Sequence, residues 1–131
     1  MYALHHPELF SSACPLSAST GPLSLAEAKT RLERRGNETY TEQEVAEYLQ
    51  KYSALNLIEN MPEAQKREVR WYIDCGDDDF LFEGNSLIHI AMRKREIPHE
   101  FRIREGSHNW TYWRTALPEV LGFVSQEFHQ K

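Results

Sequence analysis

Strand-like and helix-like segments alternate along the second half of this chain, and their order constrains the fold more than any other feature. Residues 69–76 are mostly apolar and typical of a buried strand, and residues 101–105 alternate in polarity as a second strand does. Between them, residues 84–96 carry apolar side chains at helical spacing. A helix between two strands predicts a parallel pair joined by a right-handed crossover, and therefore an α/β fold.

The remaining segments continue this order of strands and helices. They are predicted, along the chain, as a helix end over residues 1–6, a strand over 9–18, a helix over 24–35, one or two helices over 41–59, and a helix over 111–128. Capping boxes at Ser24 and Thr41 mark the starts of the two middle helices. Pro118 is expected to kink or restart the last helix. The predicted apolar face of that helix consists of Trp113, Leu117, Val120, Leu121, Val124 and Phe128.

Length and composition exclude several classes of protein. A chain of 131 residues and 15.4 kDa is the size of a single domain. Its net charge of -5 argues against a nucleic-acid binder, and no apolar run approaches the roughly 20 residues of a membrane span. The first residues lack the basic start and long apolar core of a signal peptide, and two cysteines are too few for a disulfide scaffold or a zinc site.

Acidic and histidine side chains follow the two predicted strands of the second half. The first of these strands ends in an acidic loop at residues 76–79, and the next ends in a loop that carries His108. Functional residues of open parallel sheets lie just past the carboxyl ends of the strands, so a carboxylate is expected beside an imidazole. Such a carboxylate orients the ring and makes the histidine a general base. A solvated acidic loop and a histidine without function are the alternative.

Three segments of the chain resemble the putative-esterase branch of the α/β-hydrolases, which includes esterase D and the feruloyl and acetylxylan esterases. Residues 73–81 are similar to its acid loop, and residues 106–113 to its Gly-x-His-x-aromatic loop and the aromatic helix behind it. Residues 2–10 look like the segment after its nucleophile elbow. The resemblance covers residues 1–128 and is least specific over residues 24–62, where the family carries a variable insertion. It implies a single partial domain over residues 1–131, with 24–62 as a helical insertion that caps the active site.

The resemblance also implies which residues form the site. The family's catalytic aspartate stands three residues after a glycine, which selects Asp79 after Gly76, and its histidine corresponds to His108. Weaker candidates for the acid are Asp74, Asp77 and Asp78. Trp110 and Trp113 are predicted either to pack the last helix on the sheet or to wall an acyl- or sugar-binding site. No metal, organic cofactor, nucleic acid or membrane is implied.

One departure from the family pattern concerns the nucleophile. The family's serine lies in Gly-x-Ser-x-Gly, which this sequence does not contain. We therefore expect the C-terminal part of an α/β-hydrolase, about three parallel strands with flanking helices, whose serine precedes Met1. The implied activity is that of a serine carboxylesterase acting on a small-molecule ester, including sugar- or phenolic-linked esters, with the chain alone inactive. Self-association or pairing with the missing half is expected. The alternative is a non-catalytic remnant or interaction module, and the compartment is left open.

Overall fold

The computed structural model describes residues 1–36 and 38–129, without the side chains of Glu127 and His129. The sequence places Gly36-Asn37 at the end of the helix predicted over 24–35, and Asn37 lies outside the described residues. The elements, in chain order, are α1 (Tyr2–His5), β1 (Ser12–Ala13), α2 (Leu25–Gly36), α3 (Glu42–Tyr52), α4 (Ala54–Glu59), β2 (Arg70–Gly76), α5 (Phe82–Lys94), β3 (His99–Arg104) and α6 (Trp110–Ser125). Single 3₁₀ turns lie at Pro7–Leu9, Glu63–Gln65 and Gln126–His129.

The three strands form one parallel sheet in the order β1-β2-β3, which confirms the predicted α/β architecture. Side chains alternate along β2, so the sheet has a helical layer on each face. Trp71 and Ile73 belong to the larger core, which α4 and α5 complete. Tyr72 points the other way and packs with Val120 and Phe123 of α6. Because β2 and β3 are parallel neighbours, their carboxyl ends lie side by side at the same end of the sheet.

The first strand is much shorter than the predicted residues 9–18. Only Ser12 and Ala13 pair with β2, and one further bridge joins Leu16 to Asp74. Pro15 lies between these two contacts and has no N–H to donate to a ladder. Immediately afterwards Ser17 turns the chain away with a φ of 49°.

The middle helices follow their predicted starts. Thr41 forms a complete capping box with Glu44 at the start of α3. Residues 41–59, predicted as one or two helices, form two helices divided at Ser53, whose buried hydroxyl accepts a hydrogen bond from the Asn56 N–H and caps α4. The break lets the Ala54 N–H bond to the Thr20 carbonyl, which ties these helices to the loop after β1.

The buried face of α6 differs from the predicted one. The buried side chains are Tyr112, Ala116, Val120 and Phe123, whereas Leu117, Leu121 and Phe128 are exposed. The prediction is confirmed for Val120 and for Val124, which packs on the same cluster, and is wrong for the three exposed residues. It failed there because α6 carries two apolar stripes, and packing against Tyr72 of β2 selects the stripe that contains Tyr112 and Phe123. Pro118 lies inside a helix that runs without interruption from Trp110 to Ser125. None of the helices described in the structure is long and apolar enough to cross a membrane.

Candidate active site

Two glycines let the loops after β2 and β3 approach each other closely. A Cβ on Gly76 would lie 2.1 Å from the Gly106 carbonyl oxygen, so no other residue fits there without moving the neighbouring loop. Asp77 stabilises the same contact between the loops, because its Oδ1 accepts a hydrogen bond of 2.9 Å from the Gly106 N–H. The Asp78 N–H in turn bonds to the Gly106 carbonyl at 3.0 Å. Backbone packing thus sets the separation of the two loops.

Asp79 and His108 meet across this pair of loops. Asp79 Oδ2 lies 3.0 Å from His108 Nδ1, and Asp79 Oδ1 accepts a hydrogen bond of 2.8 Å from the Leu81 N–H. The Asp79 side chain is fully buried, whereas one third of the His108 side chain is exposed. The predicted contact between these two residues is therefore present in the fold, and their catalytic roles stay a prediction.

The surroundings of Asp79 favour its ionised form. Burial alone raises the pKa of a carboxyl group, because it penalises the charged form. Hydrogen bonds from the Leu81 amide, the Ser17 hydroxyl and His108 outweigh the burial and lower the pKa of Asp79 below its ordinary value. An ionised carboxylate can accept the N–H of the imidazole ring, which defines the tautomer of His108.

Two aromatic rings pack around His108. The Trp113 ring stands edge-on to the imidazole with centroids 4.9 Å apart, and the Phe80 ring lies tilted at 4.8 Å. Nε2 of His108 makes no hydrogen bond to any residue that the structure describes. With Nδ1 bonded to Asp79, Nε2 is the ring atom available to exchange a proton with a substrate or a nucleophile.

The weaker acid candidates have other contacts. Asp74 is fully buried and accepts hydrogen bonds from Arg104, Tyr112 and Tyr72. Burial and the Asp74 carboxylate raise the pKa of Tyr112, so its phenol stays protonated and donates. Asp77 bonds to the Gly106 N–H, and Asp78 is exposed. Asp79 is the aspartate that reaches His108.

The two tryptophans differ in their surroundings. Trp110 is exposed and contacts the Trp113 ring at 5.3 Å. Trp113 is half-buried, and its indole N–H donates a hydrogen bond of 3.1 Å to the Ser17 hydroxyl. Sequence reasoning missed Ser17, since its only signal is a place near the end of the first strand. It also missed Phe80, whose position directly after Asp79 was the available signal.

A groove of about 440 Å³ lies beside Phe80. One wall is the start of α2 with Glu27 and Arg31, and the other is the segment from Phe80 to Gly84. Glu27 Oε1 accepts a hydrogen bond of 3.0 Å from Arg31 Nε, so these two charges are paired, and Glu83 is the third charged residue that lines the groove. Among the described residues, no group of three or more histidine, cysteine, aspartate or glutamate side chains is placed to share a metal ion.

A parallel sheet with an acid loop and a histidine loop on neighbouring strands is the architecture of an α/β-hydrolase. The family model described as "putative esterase" matches residues 1–124, and the chain belongs to that family. A ferulic acid esterase structure superimposes with a TM-score of 0.72 and 29% identity, over 95% of this chain and 45% of that one.

Two further similarities agree with the fold and the family. An S-formylglutathione hydrolase structure from Staphylococcus aureus has a TM-score of 0.66 and 21% identity over 93% of this chain and 47% of that one, and shows the same fold. An acetyl esterase from Caldicellulosiruptor saccharolyticus is 27% identical over 55 residues, which are 42% of this chain and 21% of that protein. The chain thus spans less than half the length of each of these proteins.

Proposed function

We propose that this chain supplies the acid and the histidine of a serine carboxylesterase, and that a serine outside these 131 residues completes the site. In this proposal His108 takes the proton of the serine through Nε2 while the serine attacks the ester carbonyl. The protonated ring then delivers that proton to the leaving alcohol. Asp79 holds the ring through Nδ1 and stabilises its positive charge.

The observation that carries the proposal is the contact between the buried Asp79 carboxylate and His108 Nδ1. A buried carboxylate with three hydrogen-bond donors stays ionised and cannot rotate freely, which suits a group that orients an imidazole. Partial exposure of the His108 side chain supports access by a substrate. Family membership supports the reaction class.

The exposed aromatic side chains suggest the kind of ester. Phe80 and Trp110 are largely exposed, and both lie in the aromatic cluster around His108. Aromatic faces bind phenolic rings and the apolar faces of sugars, which supports a small phenolic- or sugar-linked ester as the substrate. We assign α2, through Glu27 and Arg31, to a cap on one side of this substrate site.

The test begins with the chain alone. It should hydrolyse p-nitrophenyl acetate no faster than free imidazole at equal concentration, because the serine and the oxyanion hole each contribute several kcal/mol to lowering the barrier. A burst of product with acylation of a serine in these 131 residues would contradict the proposal.

The second step uses a polypeptide extended upstream in the same reading frame by a Gly-x-Ser-x-Gly segment. Asp79→Asn should lower its kcat by about 10⁴-fold, since the wrong tautomer of the histidine is then favoured. The matched control is Asp78→Asn, at an exposed neighbour, which should leave kcat unchanged. An upstream frame without the motif, or an Asp79→Asn enzyme of normal activity, would instead favour a non-catalytic remnant.

A further inference from the structure

Ser17 occupies an unusual position next to Asp79. It is 4% exposed, and its φ of 49° lies in the left-handed region that residues with a side chain rarely adopt. Its N–H donates to the Asp74 carbonyl at 2.8 Å, which holds this conformation against β2. A strained residue that its surroundings hold in place is a reason to look for a function.

The partners of the Ser17 hydroxyl determine its direction. A hydroxyl has one hydrogen to donate and two lone pairs that accept. The Trp113 indole N–H can only donate and lies 3.1 Å from Oγ, so it occupies one lone pair. The Asp79 carboxylate can only accept, so the hydrogen bond between Ser17 and Asp79 uses the hydroxyl hydrogen.

Trp113 contacts both ends of this arrangement. Its N–H orients the Ser17 hydroxyl, and its ring edge packs on His108 at 4.9 Å. One side chain of α6 therefore restrains the imidazole directly and the carboxylate through Ser17. This double contact favours a positioning role for Trp113 over the alternative of a substrate wall.

We infer that Ser17 and Trp113 are a positioning pair that holds the Asp79 carboxylate in the orientation required by His108. The inference rests on the proposed function, which gives Asp79 and His108 their roles. Neither residue of the pair is assigned a contact with the substrate or the nucleophile. Loss of the pair should lower the rate of the chemical step and leave substrate binding unchanged.

NMR can test the inference, because aspartate and tryptophan are both rare in this chain. The sequence has four aspartates and three tryptophans, so carboxyl-labelled aspartate and the indole N–H groups give few NMR signals to assign in the 131-residue chain. Ser17→Gly removes the hydroxyl and is compatible with a φ of 49°, whereas Ser17→Ala removes it and keeps the strain. Ser19→Ala is the matched control, because Ser19 is exposed and lies two residues away.

Both Ser17 variants should raise the pKa of Asp79 relative to the wild-type chain, because the carboxylate loses one of its donors. The Trp113 indole proton should shift upfield and exchange faster with solvent, whereas that of the exposed Trp110 should not change. Trp113→Phe should raise the pKa of Asp79 by a smaller amount. Ser19→Ala should leave every signal in place. An unchanged pKa of Asp79 in both Ser17 variants would overturn the inference.

Kinetics on the serine-containing polypeptide separate this inference from the proposed function. Ser17→Gly should lower kcat roughly tenfold with KM unchanged, which corresponds to the loss of one hydrogen bond to a charged group. A shifted pKa of Asp79 with an unchanged kcat would reduce Ser17 to a structural residue and overturn its positioning role. A failure of the proposed function would give a different result, because the Asp79→Asn variant would then keep full activity.

Discussion

At the scale of single residues, the buried Asp79 carboxylate is the most consequential group in the chain. Its charge is kept in the interior by three donors from different parts of the sequence: the Leu81 amide next to it, the Ser17 hydroxyl from the loop after β1, and His108 from the loop after β3. Because each donor favours the ionised carboxyl group, this one residue links folding to protonation.

The dependence of stability on pH follows from this link. The folded pKa of Asp79 lies below the ordinary value of about 3.9, so its stabilising contribution is fully present above that pH and is lost as the pH falls through the folded pKa. The free energy of unfolding, measured by urea titration at successive pH values, should therefore decrease less on acidification in Asp79→Asn than in the wild type. Asp78→Asn should follow the wild-type curve, and equal acid dependence in all three chains would contradict the prediction.

At the scale of elements, β2, β3 and α6 form one unit below the candidate active site. Arg104 of β3 and Tyr112 of α6 both bond to Asp74 of β2, and Glu119 of α6 pairs with Arg104 at 2.6 Å. Removing or displacing one partner would leave a buried charge uncompensated, which is strongly destabilising. The three elements are therefore held in a fixed arrangement. The two loops above it can meet because Gly76 and Gly106 lie in backbone contact.

Gly76→Ala should disrupt that contact. The added Cβ would lie 2.1 Å from the Gly106 carbonyl oxygen, so the loops must separate, at a cost on the order of 1–3 kcal/mol in unfolding free energy. The Asp79 to His108 hydrogen bond should weaken as well, which the His108 ring signals would report. Gly122→Ala is the control, because nothing lies within 4 Å of a Cβ there and alanine in a helix is favoured by about 0.5–1 kcal/mol. Equal stability of the two variants would exclude the steric explanation.

At the scale of the whole molecule, the sheet ends in an unprotected strand. Among the described residues, β1 is one of the two terminal strands of the sheet and pairs with β2 on one side only. The Arg70 N–H bonds to the Ser11 carbonyl at 3.0 Å, so the alternation of a parallel ladder directs the Ser12 N–H and C=O to the open side. Leu9 and Phe10 are exposed next to this edge. Such an edge is a template for pairing with another strand.

We therefore predict that the 131-residue chain self-associates at micromolar concentration, measured by sedimentation velocity. Ser12→Pro should reduce the association, because proline removes the N–H that points to the open side. The hydrogen bonds between β1 and β2 do not use that N–H and should remain. Ser19→Ala, in the exposed loop after the strand, is the control. A stable monomer of 15.4 kDa would contradict the prediction. Association that survives Ser12→Pro but is lost on replacing Leu117 and Leu121 would place the interface on α6 instead.

Local signals in the sequence determined the order of the elements, the parallel sheet and the placement of an acid loop beside a histidine loop. Hydrophobic period, capping boxes and strand-end glycines act within a few residues, so they can be recognised without a structure. The choice of Asp79 over its neighbours came from a family resemblance, and burial now distinguishes it from the exposed Asp78.

Only the tertiary structure decided which face of α6 is buried and which distant residues surround Asp79. Both stripes of α6 are apolar, and packing against Tyr72 selects one of them. Ser17 reaches Asp79 because a positive φ redirects the chain after β1, and Trp113 reaches Ser17 because α6 lies across the sheet. These contacts join residues far apart in the chain, and they depend on strand register and close backbone approach, which local sequence patterns do not encode.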